Sequence, residues 1–106
     1  MALAPENCRT MAELRVEIDR LDAALVGLLA QRQAYIERAA AIKSSREAVR
    51  DEARVEDVIA KVLAEACAKG LNASIAEPVW RTLIERSIAH EFETFDGRSS
   101  GADRPR

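Results

Sequence analysis

The stretch that decides the fold is residues 14–32, LRVEIDRLDAALVGLLAQR. Its apolar side chains recur in alternating steps of four and three residues, at Leu14, Ile18, Leu21, Leu25 and Leu28. This spacing is typical of the seam along which one helix packs lengthwise on another. Thr10 and Glu13 have the spacing of a capping box, so we predict that a long helix begins at about residue 11 and continues to about residue 43.

Two further helices are predicted downstream. Asp51 is a favourable N-cap for the second helix, and Gly70 is its predicted left-handed terminator. Ser74 and Glu77 have the spacing of a second capping box, which places Pro78 in the opening turn of the third helix, where a missing N–H matters least. The two helices carry apolar faces made of Val55, Val58, Ile59, Val62, Leu63 and Ala66, and of Val79, Leu83, Ile84, Ile88, Phe92 and Phe95.

The composition of the 106-residue chain favours helices. Only 4 Gly and 3 Pro occur and aromatic residues make up 4%, so strands have little support. The length suits one domain better than two domains that each bury a core. We therefore predict a single all-α domain of three helices over residues 1–96. Residues 97–106 are polar without an apolar period, and we expect them to form a disordered tail.

Charge and apolar runs limit the expected partners. The formal net charge of -2 provides no overall positive field that would attract nucleic acid. No apolar run approaches the roughly 20 residues that span a bilayer, and the first residues lack a signal-peptide pattern, so we expect a cytoplasmic protein without a membrane partner. Cys8, Cys67 and His90 are isolated, and neither a metal site nor a disulfide framework is expected.

The predicted first helix is long for a chain of this size. At 1.5 Å per residue it would extend roughly 50 Å, whereas a compact domain of about 100 residues has a radius of gyration of about 13 Å. Part of its apolar seam would be exposed unless a second chain covered it. We therefore predict an intertwined homodimer. The alternative is a first helix that kinks and folds back into a monomeric bundle.

Cationic side chains interrupt the apolar seam. The four–three count continues from Leu28 to Arg32. Lys43, eleven residues later, points within about 20° of the same direction and lies roughly 16 Å further along the axis. The two cations could hold a small anion between them, although such an Arg can also snorkel or form an ion pair. Arg15 lies roughly 25 Å before Arg32, so it would reach the same ligand only from a partner chain.

Four polar residues on the other two helices are candidates for the same site. Ser87 and Glu91 are one turn apart on the third helix, and Glu91 stands between apolar positions. Asp51 and Arg54 stand where the second helix begins. Taken singly, each can be a helix cap or a solvated charge, and only their convergence on one cavity would indicate chemistry.

Together these residues resemble a known family. Residues 14–32, Lys43, the segment VRDEARV (residues 49–55) and the segment LIERSIAHE (residues 83–91) are similar to the all-helical chorismate mutases, a family that includes isochorismate-pyruvate lyases. The resemblance spans about residues 12–93. It implies an interlocked dimer with two sites, each of which converts chorismate to prephenate by an intramolecular pericyclic rearrangement. It implies no covalent intermediate, metal or organic cofactor.

The resemblance also implies a role for each candidate residue. Arg32 and the partner subunit's Arg15 would bind the two carboxylates of the dicarboxylate substrate, which suits the paired donors of a guanidinium. Lys43 and Glu91 would donate to the ether oxygen, where negative charge develops. The remaining four positions would line the substrate pocket, with Asp51 accepting from the ring hydroxyl; they are Asp51, Arg54, Val55 and Ser87.

Two positions depart from the mutase pattern and keep other functions open. Val55 stands where mutases often carry Glu, and the lyase branch also has an apolar residue there. Glu91 replaces an amide, and a carboxyl group donates a hydrogen bond only when it is protonated. Chorismate mutase is our leading prediction, isochorismate-pyruvate lyase is the second, and a non-catalytic helical dimer is the third. A helix-turn-helix regulator is disfavoured, because the third helix is acidic where a recognition helix is basic.

Overall fold

The structure of the chain is a computed structural model that describes residues 2–102, with side chains up to residue 98. It contains three α-helices, α1 (Met11–Ile42), α2 (Glu52–Lys69) and α3 (Ala73–Ala102), and 3-10 turns at Pro5–Asn7 and Arg46–Ala48. No strand occurs within the described residues, so the prediction of an all-α chain with three helices is confirmed. None of these helices combines the length and the hydropathy that a bilayer-spanning segment needs.

The contacts within the chain divide it into two units, and the division falls after Ala34. The first unit contains most of α1. Its predicted capping box is present: Thr10 Oγ1 accepts from the Glu13 amide at 3.1 Å, and Glu13 Oε1 accepts from the backbone N–H groups of Arg9 and Thr10 at 2.8 and 3.1 Å. These bonds satisfy N–H groups that have no partner inside the helix, and α1 begins at the predicted place.

The apolar seam of the first unit is exposed. Ile18, Leu21, Leu25 and Leu28 retain between 47% and 60% of their accessible surface. Gly27 points away from this seam, and a Cβ atom built on it meets nothing within 4 Å. The face opposite the seam is therefore open at Gly27. The seam itself is a continuous, uncovered apolar stripe along one side of the helix.

The second unit starts at residue 35, and in it α2 begins and ends at the predicted residues. Asp51 caps the helix, because its Oδ1 accepts from the Arg54 amide at 3.1 Å. Gly70 follows the last helical residue with φ +75°, the left-handed conformation that glycine adopts without steric cost. The Leu71 amide then donates to the Ala66 carbonyl at 2.8 Å, which closes the end of the helix.

The predicted cap of α3 is wrong. The capping residue is Asn72, whose Oδ1 accepts from the Ser74 amide at 2.8 Å and from the Ser74 hydroxyl at 2.7 Å. Ser74 is already the second residue of α3 and not its N-cap, so it does not form a capping box with Glu77. Glu77 instead accepts from Arg81 Nε at 3.0 Å. The helix begins at Ala73, so Pro78 lies in its second turn rather than its first.

The core of the second unit lies between α2 and α3. Its buried side chains are Val49, Val55, Ile59, Ile84 and Ile88. Ion pairs surround this core: Arg50 makes two hydrogen bonds to the Glu85 carboxylate, at 2.7 and 3.1 Å, and Arg81 makes two to Glu56, both at 3.1 Å. The segment between α1 and α2 is thereby attached to α3 by both apolar and charged contacts.

The third helix continues beyond residue 96, where the sequence predicts that the domain ends. It extends to Ala102, and residues 103–106 of the expected tail lie outside the described residues. Contacts distant in sequence support the added turn, because Arg98 Nη1 donates to the carbonyl oxygens of Ala40, Ala41 and Lys43. The polar composition of residues 97–102 gives no sign of these contacts, which explains why the sequence predicts a tail there.

Candidate active site

Lys43 and Glu91 form the charged pair at the centre of the second unit. Lys43 follows the last residue of α1, and Glu91 lies on α3. Lys43 Nζ is 2.6 Å from Glu91 Oε2, and the two side chains are 28% and 5% exposed, respectively. A carboxylate so deeply buried requires a partner, and the ammonium group provides it. The structure therefore brings together the two residues that the sequence predicts at the ether oxygen of a substrate.

The backbone around Lys43 restricts its ammonium group further. Lys43 Nζ also lies 3.4 Å from the carbonyl oxygen of Val49, and Val49 is part of the apolar core. An ammonium group has three N–H donors, and these two contacts hold it against a buried wall. The arrangement fixes the direction of a positive charge that is only partly exposed to solvent.

The Glu91 carboxyl has the Lys43 ammonium group as its hydrogen-bond partner. Two of the three N–H donors of that ammonium group are directed at Glu91 and at the Val49 carbonyl oxygen. The third N–H is the donor that the pair can offer to a substrate oxygen.

Asp51 and Arg54 are neighbours at the start of α2, but the contact between them is a helix cap. Asp51 Oδ1 accepts from the Arg54 backbone, which is the structural alternative considered for this pair. The Arg54 side chain is exposed and bonds Asp57 through Nη1 and Oδ2 at 2.6 Å. Hydrogen bonds from Lys61 and then Arg54 hold the pKa of Asp57 below its ordinary value.

Val55 and Ser87 occupy different environments. The Val55 side chain is buried and belongs to the core between α2 and α3. Ser87 is half-buried on α3, one helical turn before Glu91. Their substrate-binding roles stay predictions.

Arg15 and Arg32 lie in the first unit. Arg15 is exposed and Arg32 is half-buried. Seventeen residues of α1 separate them, which corresponds to about 25 Å along the helix axis. The structure thus keeps the two guanidinium-bearing positions of α1 well apart within a single chain.

A cavity of about 390 Å³ is lined by residues of α2, by Leu71 and by Trp80 of α3. Val58, Val62, Leu71 and Trp80 supply apolar walls, and Arg54 lies on its edge. Neither Lys43 nor Glu91 lines this cavity. The lining also includes the cationic side chains of Arg54, Lys61 and Lys69, but these are bonded to carboxylates of α2 itself. We therefore consider the Lys43–Glu91 pair the better indicator of chemistry.

Three contacts of the second unit were not predicted from the sequence. His90 Nε2 lies 2.6 Å from Glu37 Oε2, which links the end of α1 to α3. Arg46 stacks on the Phe92 ring at 4.4 Å. Arg98 stacks on the Phe95 ring at 4.0 Å; the signal that could have indicated it is an arginine one turn after an aromatic residue on the same helix.

Potential metal ligands are dispersed in the part of the chain that the structure describes. No group of three or more His, Cys, Asp or Glu side chains is arranged there to hold a metal ion. Cys8 and Cys67 are both free thiols.

Comparisons with known proteins match this chain over most of its length. The family described as chorismate mutase type II matches residues 14–92. Among curated proteins, the chain is similar to an isochorismate pyruvate lyase of Pseudomonas aeruginosa, with 30% identity over 89 residues. That alignment covers 84% of this chain and 88% of the lyase.

Proposed function

Because the chain belongs to the chorismate mutase type II family, we propose that it is an enzyme that rearranges chorismate to prephenate. The observation that carries the proposal is the 2.6 Å contact between Lys43 and Glu91 in a buried environment. In a unimolecular rearrangement the C–O bond breaks as a C–C bond forms, and no proton or group is passed to the protein. The protein needs only to hold a compact conformer and to stabilise the charge that develops.

We assign the ether oxygen of the substrate to Lys43 and Glu91. Negative charge grows on this oxygen as the C–O bond breaks, and an ammonium group held in place beforehand stabilises that charge without reorganisation. The backbone contact at Val49 supports this role, because it orients Lys43 independently of Glu91. In the proposed mechanism Glu91 donates to the same oxygen in its protonated form.

The remaining candidates bind the substrate in this proposal. Arg32 and the partner subunit's Arg15 bind the two carboxylates as paired hydrogen-bond donors. Asp51 accepts from the ring hydroxyl in addition to capping α2. Arg54, Val55 and Ser87 contribute the wall of the pocket, in which Val55 is the apolar member.

We also propose that the enzyme is an intertwined homodimer. Two observations support this: the apolar seam of α1 is about half exposed in one chain, and Arg15 is about 25 Å from Arg32 along the same helix. A second copy would bury the seam, and it would supply Arg15 to a site whose Arg32 belongs to the first copy.

Isochorismate-pyruvate lyase is the second candidate function. The relative in Pseudomonas aeruginosa carries that name, and the apolar side chain of Val55 favours the same reaction. Ser87 favours the mutase, because the lyase branch is expected to carry an aromatic residue there. Both reactions break the same kind of C–O bond, so the assignments of Lys43 and the arginines apply to either.

The test is to incubate the pure protein separately with chorismate and with isochorismate. Prephenate from chorismate supports the mutase, whereas salicylate and pyruvate from isochorismate alone support the lyase. Conversion of neither substrate would contradict both enzymes and favour the third candidate, a helical dimer without catalytic activity.

A further inference from the structure

We propose that Arg98 is a positioning residue that holds the end of α1 so that Lys43 faces Glu91. The contacts of Arg98 with the end of α1 are observed directly, whereas an effect of Arg98 on turnover rests on the proposed function. Arg98 lies on the turn of α3 that follows Gly97.

The contacts of Arg98 are directed at the end of α1. Its Nη1 donates to the carbonyl oxygens of Ala40 at 2.7 Å, Ala41 at 3.1 Å and Lys43 at 2.8 Å. The last carbonyl groups of a helix have no partner within the helix. The two N–H groups of this nitrogen are therefore shared among two carbonyl oxygens that α1 leaves open and the carbonyl oxygen of Lys43, the residue after it.

The end of α1 has no other cap of the usual kind. The last turn of α1 contains no basic residue. Among the described residues only Gly70 has a positive φ, so α1 lacks the left-handed closure that ends α2. A cation at a helix C-terminus is favoured by the helix dipole, and here α3 supplies that cation from a distant part of the chain.

The position of Arg98 is itself restrained. Its guanidinium lies 4.0 Å from the centroid of the Phe95 ring, and Phe95 packs against the core of the second unit. A planar guanidinium stacked on an aromatic ring has fewer accessible conformations than an exposed arginine. The hydrogen bonds to α1 are thus made by a group that is already oriented.

Lys43 is consequently held by α3 at both of its ends. Arg98 binds its backbone carbonyl at 2.8 Å, and Glu91 contacts its ammonium group at 2.6 Å. Arg98 and Glu91 are seven residues apart, which places them on the same face of α3, about 10 Å along the axis. Without Arg98, the bond from the Lys43 N–H to the Ala39 carbonyl, at 2.9 Å, would remain, but the Lys43 carbonyl would lose its contact with α3. The end of α1 would then be able to shift relative to Glu91.

The experiment compares Arg98→Ala with Arg98→Lys and with Arg86→Ala, a control at an exposed arginine of the same helix. The first measurement is amide hydrogen exchange in the peptide that covers residues 36–49. We expect exchange at the end of α1 to accelerate about tenfold in Arg98→Ala, to recover partly in Arg98→Lys, and to stay unchanged in Arg86→Ala. Unchanged exchange in Arg98→Ala would overturn the proposal.

The second measurement is steady-state kinetics with whichever substrate the wild-type protein converts. We expect Arg98→Ala to lower kcat by about tenfold while KM changes by less than about twofold, because a misplaced donor affects the transition state more than binding. The Arg98→Lys variant should regain part of kcat. An equal loss in Arg98→Lys and Arg98→Ala, together with a lowered fraction of folded protein, would show a purely structural role and contradict the proposal.

A third measurement separates this inference from the proposed function. In the NMR spectrum the Glu91 side-chain carboxyl reports its contact with Lys43, and we expect its 13C shift to move in Arg98→Ala and not in Arg86→Ala. This readout requires no turnover. If the wild-type protein converts neither substrate but the shift moves, the proposed function fails and the positioning role stands; if the shift does not move, the positioning role fails.

Discussion

Lys43 and Glu91 are separated by 48 residues in the chain, yet their charged atoms lie 2.6 Å apart. The pair is formed because Lys43 contacts the backbone of the core residue Val49, and Glu91 lies on α3 between Ile88 and Phe92, which belong to the same core or pack against it. The proposed mechanism places both side chains at the same substrate oxygen, so each can be tested by substitution.

Replacing Glu91 by Gln should retain turnover, whereas Glu91→Ala should lose most of it. The side-chain amide of Gln donates hydrogen bonds through its N–H groups, so it can serve the ether oxygen in the role proposed for Glu91. Alanine has no donor, and loss of a donor aimed at developing charge costs about 100- to 1,000-fold in kcat. The measurement is kcat for the wild type and both variants; equal values in Glu91→Gln and Glu91→Ala would remove Glu91 from the ether-oxygen role.

Replacing Lys43 by Ala should affect both turnover and stability. Loss of a donor aimed at developing charge costs about 100- to 1,000-fold in kcat. The buried Glu91 carboxyl also loses its partner, which should cost about 1–3 kcal/mol of the free energy of unfolding. Kinetics and denaturant unfolding measure the two effects. The control is Lys69→Ala, at an exposed lysine paired with Glu65; a similar loss in both variants would argue against a special role for Lys43.

A charge on the seam of α1 should disrupt the proposed dimer. Leu25→Glu places a carboxylate in the middle of the apolar stripe, where association would have to bury it unpaired. Ala23→Glu adds the same charge on the opposite face of the helix. Light scattering should give a monomer for Leu25→Glu and a dimer for wild type and Ala23→Glu. A wild-type monomer, or a dimeric Leu25→Glu, would contradict the assignment of the interface to this seam.

Mixing two inactive variants should restore activity if Arg15 acts across the dimer. In a heterodimer of Arg15→Ala and Arg32→Ala, one site has both arginines intact and the other has neither. Random exchange of subunits then gives intact sites at about a quarter of the total. Each variant alone, incubated in the same way, is the control. Recovery after exchange is the expected outcome, and its absence would mean that each chain supplies both residues to its own site.

The ion pair between Arg50 and Glu85 should contribute stability only above acidic pH. Hydrogen bonds from Arg50 hold the pKa of Glu85 below its ordinary value of 4.5. A carboxyl whose pKa is lowered by folding stabilises the protein above 4.5, and this contribution is lost as the pH falls through the lowered value. Glu85→Gln should therefore unfold at a slightly lower temperature than wild type at pH 7.

The difference between Glu85→Gln and wild type should narrow and disappear as the pH falls from about 7 to below the lowered pKa. Thermal unfolding followed by circular dichroism at several pH values measures it. Glu47→Gln, at an exposed carboxylate of the 3-10 turn between α1 and α2, is the control and should show little difference at any pH. A constant gap for Glu85→Gln would mean that the pair with Arg50 does not cause it.

The helices were predictable from the sequence because their signals are local. The Thr10 box, the Asp51 cap and the Gly70 terminator each depend on residues within four positions of one another, and the structure confirms all three. Competition between near neighbours limits such reasoning. Asn72 and Ser74 are both residue types that cap helices. In the structure the Asn72 side chain accepts from the Ser74 amide, so α3 begins two residues before the position that the Ser74–Glu77 spacing predicts.

Residue types and spacing alone determined that the chain is helical, that α1 carries an uncovered apolar seam, and which charged side chains are candidates for chemistry. The tertiary structure alone decided that Lys43 meets Glu91 and that α3 continues past Gly97 to place Arg98 on the end of α1. The physical reason is that caps and apolar periods act within one helical turn. The contacts of Glu91 and Arg98 with Lys43 join residues 48 and 55 positions apart, and they arise only after the chain has folded α3 back beside the end of α1.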